Sequence, residues 1–272
     1  MMGSPIWFVN LIKKSFSQIF TFAKLTHIPG LGKLVDLALF ENDDILYLPK
    51  GRTISINSPL DVGDQEIIPS RVVEHFIKKA RHRWIMNSCL CRDASTCKDY
   101  PVNLGCLFLG EAVLGINQEL GRLVSMEEAL DHVKRCREAG LVHLVGRNKL
   151  DSVWLNVRPG RNLLTICNCC PCCCLWRILP FIRRQIGSKV TKMEGISISV
   201  NEHCEGCGTC TLDVCFVKAI QIKRGRAVIS DECRGCGRCI SVCPNSAIKM
   251  TIGSADVIQH TIRRIEKVVD VS

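Results

Sequence analysis

Cys204-Glu205-Gly206-Cys207-Gly208-Thr209-Cys210 with Cys215, and Cys233-Arg234-Gly235-Cys236-Gly237-Arg238-Cys239 with Cys243-Pro244, decide how the C-terminal part of this chain folds. Three thiolates spaced C-x2-C-x2-C can wrap one cube of iron and sulfide, while the fourth thiolate of each run reaches the other cube. The spacing therefore predicts two 4Fe-4S sites with crossed ligands. Cys204, Cys207, Cys210 and Cys243 would hold the first, and Cys233, Cys236, Cys239 and Cys215 the second. Zinc modules pair their cysteines as separate C-x2-C knuckles, so triplets closed by a distant fourth argue against zinc here.

The two runs also repeat each other. Residues 200–208 align with 229–237, and Ala219-Ile220-Gln221-Ile222 with Ala247-Ile248-Lys249-Met250, which predicts a duplicated unit of strand, cluster loop and strand with pseudo-twofold symmetry. Gly206, Gly208, Gly235 and Gly237 let loop amides approach sulfur where a side chain would intervene. On these residues the stretch from Ile196 to Thr251 resembles the bacterial two-cluster ferredoxin family. Two departures stand in the first run: four residues, Thr211 to Val214, precede its last cysteine where the family has three, and Phe216 replaces the usual proline. A unit of roughly 56 residues cannot build a large core, so its clusters should also hold it together.

The chain has 272 residues and is 47% apolar, which excludes wholesale disorder. Its 19 cysteines could form a disulfide scaffold. Yet apolar Ile6 to Val9 precede the first lysines and no small-residue cleavage site follows, so a signal peptide is not expected. Thiolates serving metals in a reducing, anaerobic cytoplasm fit better. No apolar stretch approaches the ~20 residues of a membrane-spanning helix. The formal charge of +10 counts every cysteine as neutral. A four-thiolate 4Fe-4S site carries about −2, which lowers the total to roughly +6 with two sites and roughly +4 with three. The basic residues are scattered and no aromatic residues interleave with them, so nucleic acid is not an expected partner.

The expected class is α+β: a cysteine-rich, mixed N-terminal domain followed by the pseudo-twofold ferredoxin-like domain. Residues 1–68 form an amphipathic and strand-and-turn segment, 69–186 a cysteine-rich metal-binding domain, 195–252 the two-cluster domain and 253–272 an amphipathic helix. In the first segment Phe8, Leu11, Ile12, Phe16, Ile19, Phe20 and Ala23 share one helical face. Residues 5–25 could pack on the protein's own body, lie on a membrane surface or dock a partner. Asn42 to Gln65 read as short strands and turns. A helix follows Pro69, and Ser125 with Glu128 forms a capping box for a second, whose buried face includes Cys136. Leu141 to Val145 and Val153 to Val157 read as two strands, so helix plus hairpin hints at a winged helix. Gly187 to Gly195 reads as a linker. Val257 to Val269 would cap the ferredoxin unit or present a partner surface.

Two further cysteine groups are unusual. Cys89, Cys91, Cys97 and Cys106 supply one cluster's complement within 18 residues. On a strand Cys89 and Cys91 would point to opposite sides, so the chain must curl there if both are to ligate. A third iron-sulfur cluster, a zinc ion or inert thiols are the alternatives, and Arg92 could neutralise a cluster. The second group, Cys167, Cys169, Cys170, Cys172, Cys173 and Cys174, puts six cysteines in eight residues. Adjacent residues cannot all reach one cube without strain. Either a subset ligates or the loop is shared between centres, with a redox thiol pair or a promiscuous metal tract as alternatives. His143 is a possible extra ligand or a core histidine.

The segments around Cys89–Cys91, Tyr100-Pro101, Gly105–Gly110, Gly140–His143 and Cys167–Cys170, followed by the two runs, resemble a group of cysteine-rich ferredoxin-domain proteins of anaerobic bacteria and archaea. The resemblance implies single-electron transfer to redox partner proteins, with the chain a carrier or complex subunit more than a stand-alone enzyme. Two rivals are a reductase component with a reactive centre at the Cys167–Cys174 loop and a cluster-bearing DNA-binding regulator.

Overall fold

Leu107-Phe108-Leu109, Val142 to Val145 and Leu164 to Ile166 are almost continuously apolar, the pattern of strands covered on both faces. They occupy the middle of a large sheet in a computed structural model that describes residues 3–50, 55–56, 68–253 and 256–272. In chain order the strands are β1 (Asp44–Tyr47), β2 (Ser55–Ile56), β3 (Arg83–Met86), β4 (Leu107–Leu109), β5 (Gly121–Leu123), β6 (Val142–Arg147), β7 (Leu164–Cys169), β8 (Val190–Lys192), β9 (Ile196–Val200), β10 (Ile220–Lys223), β11 (Arg226–Ile229) and β12 (Ile248–Ile252). The fold is α+β, as the sequence predicts.

Seven strands form the large sheet in the order β5-β3-β4-β7-β6-β1-β8. Neighbours pair antiparallel except β8, which runs parallel to β1. Alternation along each strand splits the core between two faces. Leu46, Leu107, Leu109, Val145, Leu164 and Ile166 face the helices Ile68–Lys79, Met126–Glu138 and Val257–Glu266. Ile45, Tyr47, Val142 and Leu144 face Trp176, Ile178 and the N-terminal segment.

The Met126–Glu138 helix starts at the expected capping box: Ser125 Oγ accepts from Glu128 N–H at 3.2 Å and Glu128 Oε2 accepts from Ser125 N–H at 2.9 Å. Cys136 is fully buried in it. The expected strand at 153–157 is not formed. Lys149–Trp154 is a helix, because buried Asp151 accepts from Asn148 Nδ2, Trp154 Nε1 and Thr165 Oγ1 at 2.7 to 2.8 Å and closes the turn. Since β6 lies between β7 and β1, it is no wing either. The stretch 187–195, read as a linker, contains β8 of the large sheet.

Helix Val257–Glu266 shares a buried cluster with Ile196 of β9 and with Met250 and Ile252 of β12. It packs on helix Ile68–Lys79, where Glu266 accepts from Lys79 at 2.5 Å, and its Arg264 donates twice to Asp44, at 2.6 and 3.0 Å. Of the strands and turns expected over 42–65, β1 and the short β2 are formed, and 51–54 and 57–65 lie outside the described residues. The N-terminal helices Ile6–Ser15 and Ile19–Leu25, with the turn Phe16–Gln18 between them, bury Val9, Phe16 and Ala23 against the body. They leave Trp7, Leu11 and Phe22 more than half exposed. Among the described residues no helix is long and apolar enough to cross a membrane.

In the C-terminal unit β9 pairs antiparallel with β12, and β10 with β11. β12 also pairs in parallel with β2, so the unit is stitched to the N-terminal part of the chain.

Candidate metal centres

The two cysteine runs occupy loops that leave β9 and β11 and repeat each other's backbone. Gly208 and Gly237 both take left-handed conformations, φ 80° and 73°, and each starts a short helical turn that carries the third cysteine of its triplet. Gly206 is left-handed too, and a Cβ there would lie 2.2 Å from the Gly225 carbonyl oxygen, so only glycine fits.

Each loop pair encloses a cavity. One is lined by Cys204, Cys207, Cys210 and Cys243, the other by Cys215, Cys233, Cys236 and Cys239. Cys215 thus sits with the triplet that follows it and Cys243 with the triplet that precedes it. Backbone amides aim at these sulfurs: Ala219 N–H donates to Cys215 Sγ, Ala247 to Cys243 and Ala227 to Cys204, each at 3.3 Å, and Gly235 donates to Cys233 at 3.4 Å. Ala219 and Ala247 are equivalent positions of the sequence repeat. Burial pushes the Cys236 thiol up to about 12 and raises Cys233 and Cys239 as well. Such thiols hold their protons until a metal displaces them.

The two N-terminal cysteine groups interleave in space. Cys89 immediately precedes helix Leu90–Ala94, which curls the chain so that Cys89 and Cys91 hydrogen-bond and face one chamber. That bond, with Arg92 beside it, lowers Cys89 to about 6. Cys106 enters just before β4, and Cys167 and Cys169, two apart on β7, project from the same face. Cys106 and Cys167 have sulfurs 3.8 Å apart. With Cys174, these six thiols line a chamber of about 410 Å³ whose remaining wall is largely apolar and includes Phe8, Ile12, Phe16 and Phe22 of the N-terminal helices.

Arg92 is completely buried at this chamber. It donates to the carbonyls of Asn168, at 2.7 Å, and Leu104, and its Nε has no partner. Burial works against its charge, but the fields of Cys89, Cys170, Cys169 and Cys106 outweigh that and raise its pKa. A buried guanidinium beside so many thiols is a site for negative charge.

Cys97 does not join Cys89, Cys91 and Cys106. Its sulfur lies with those of Cys170, Cys172 and Cys173. Cys170 is also on the chamber wall. His143 stands apart: its Nδ1 meets Asn168 Oδ1 at 2.7 Å and burial lowers its pKa to about 4. No sequence signal pairs Cys97 with residues more than 70 positions away. Tyr47, buried with an unpartnered hydroxyl, was equally silent, whereas Arg92 was marked by its place beside Cys91.

Over residues 210–253 the chain matches the family model of the LdpA Fe-S cluster-binding domain. The chain is an iron-sulfur protein. The matched stretch carries Cys210, Cys215 and all four cysteines from Cys233 to Cys243. No curated protein and no solved structure matches this iron-sulfur protein.

Proposed function

We propose that the chain is an electron-transfer protein holding two 4Fe-4S clusters, one on Cys204, Cys207, Cys210 and Cys243 and one on Cys215, Cys233, Cys236 and Cys239. The observation that carries this is the pair of cavities, each lined by four cysteines in the crossed pattern that two cubes require. The residues fit such groups: the thiols converge, the amides of Ala219, Ala227, Gly235 and Ala247 point at sulfur, and glycine keeps the loops close. Bound there, a cluster supplies one-electron chemistry at a potential set by hydrogen bonds, charge and burial. The chain contributes the amide donors, and its Ile198, Phe216 and Val217 keep water from the second site.

A third iron-sulfur cluster belongs in the N-terminal chamber, on a subset of Cys89, Cys91, Cys106, Cys167, Cys169 and Cys174, with Arg92 balancing its charge. The partners are redox proteins. The outward face of the first helices, Trp7, Leu11, Phe22, Leu34 and Leu37, has no acidic residue before Asp36 and has Lys14, Lys24 and Lys33 exposed around it, which suits an anionic membrane surface.

Iron and sulfide counts on protein purified without oxygen, with electron paramagnetic resonance of the reduced form, test the reading. About twelve irons and three interacting signals are expected. About four irons or fewer, after full reconstitution, would overturn it. A second reading, a reductase with its reactive centre in the chamber, is favoured by the chamber's volume of about 410 Å³, within the range of small-molecule sites. An iron that exchanges a ligand with added cyanide would distinguish it.

A further inference from the structure

Cys97, Cys170, Cys172 and Cys173 bring their four sulfurs within 4.8 Å of one another. Among the described residues no other group of three or more Cys, His, Asp or Glu side chains is drawn so close. Cys97 and Cys172 sulfurs are 3.6 Å apart, and so are those of Cys172 and Cys173. A single tetrahedral ion with bonds of ~2.3 Å to thiolate sulfur needs S–S edges of about 3.8 Å. A cube places its thiolates on four separate iron corners, which spreads them further apart. The spacing is that of one ion's shell.

We propose that these four cysteines form a closed single-ion site of the zinc class, separate from the iron-sulfur sites. Four protein thiolates leave no open position, which marks a structural ion and not a catalytic one. Loading exchanges four thiol protons for one divalent ion, with no change of oxidation state, and leaves the site with a net charge of −2. Arg177, which donates to the Cys172 carbonyl, brings a cation to the same loop.

The position gives the ion a task. It ties the turn after helix Leu90–Ala94 to the loop that follows β7. Three residues beyond Cys97, the Tyr100 hydroxyl accepts from Arg238 at 2.9 Å, and Arg238 lies between Gly237 and Cys239. The site therefore braces the contact between the N-terminal domain and the second C-terminal cysteine loop. It also explains why the ten cysteines of the two N-terminal groups need not serve one centre, since four close on the ion and the other six, with Cys170 at the boundary, face the chamber.

The inference does not rest on electron transfer, and zinc and iron are counted separately. Full-length protein purified without oxygen should carry one zinc per chain, with zinc-edge X-ray absorption showing four sulfurs at ~2.3 Å and no neighbouring metal. Cys97→Ser and Cys172→Ser should each release that zinc and leave iron and sulfide per chain unchanged. The proposal is overturned if the protein holds no zinc, if the zinc has nitrogen or oxygen ligands, or if Cys97→Ser removes about four irons with their sulfide. Should the variants not fold, the zinc-edge measurement on the unaltered chain decides alone.

Discussion

The rings of Tyr47 and Phe216 meet edge to face, 5.4 Å between centroids at 62°, and join the large sheet to the loop that carries Cys215. Tyr47 is fully buried and its hydroxyl has no protein partner, while Cys174, Cys169 and Cys236 are close enough to add to the effect of burial in raising its pKa. In the loaded protein that hydroxyl should donate to a cysteine sulfur. Tyr47→Phe should therefore lower the potential of one metal centre in a redox titration, because hydrogen bonds to sulfur favour the reduced state. An unchanged set of potentials would assign the hydroxyl no such bond. Phe216→Ala should cost about 3 to 5 kcal/mol in chemical unfolding.

Crossed ligation makes an asymmetric prediction. Cys215→Ala should abolish the signal of the centre held by Cys233, Cys236 and Cys239, with loss of up to about four irons, and spare the one held by Cys204, Cys207 and Cys210. Paramagnetic resonance of the reduced variant checks which signal survives.

Arg92→Met keeps the length of the side chain and removes the charge. The chamber should then lose its iron while both C-terminal signals persist, as read by iron per chain. Arg92→Lys should restore little, since an ammonium cannot reproduce the fork that reaches the Asn168 and Leu104 carbonyls together.

Asp43 supplies a pH dependence. Burial raises its pKa from 3.8 to about 7, although its Oδ1 accepts from Lys149 N–H at 2.6 Å. The folded state thus favours the protonated acid, so its contribution is full below 3.8 and is lost as pH rises through about 7. Asp43→Asn keeps the acceptor without the charge. Thermal unfolding followed from pH 5.5 to 8 should fall less steeply with pH in the variant than in the parent.

The outward face of the N-terminal helices should sediment with vesicles of anionic lipid and less with neutral ones, and added salt should weaken the association. Trp7→Asp with Leu34→Asp should reduce it tenfold or more. Equal sedimentation of parent and variant would remove this face from membrane binding.

The grouping of the C-terminal cysteines around two cavities was legible because it is local: two C-x2-C-x2-C triplets place six sulfurs by spacing alone, and the repeat indicates where the remaining two return. The capped helix at Ser125 was legible for the same reason. What stayed hidden depends on contacts far apart in sequence. Periodicity could not separate a strand from a helix at 149–157, where the outcome turns on Asp151 bonding to Thr165 on β7. Nor could it see that 190–192 would find β1, some 145 residues earlier. The grouping of the N-terminal thiols was the hardest, because Cys91 lines the chamber while Cys97, six residues on, meets the Cys170–Cys173 loop, and Cys170 belongs to both surroundings.

That grouping constrains how the protein matures. Cys106 and Cys167 are separated by some sixty residues, which a ribosome needs several seconds to make at ~5–20 residues per second. Through that interval Cys89, Cys91, Cys97 and Cys106 exist without the partners from the Cys167–Cys174 loop that complete both the chamber and the quartet. With the proposed N-terminal sites, neither could be filled on the nascent chain before that loop has left the exit tunnel. On that proposal metal delivery would be a late event, and until it happened the early thiols would depend on the surrounding reductant to stay unoxidised.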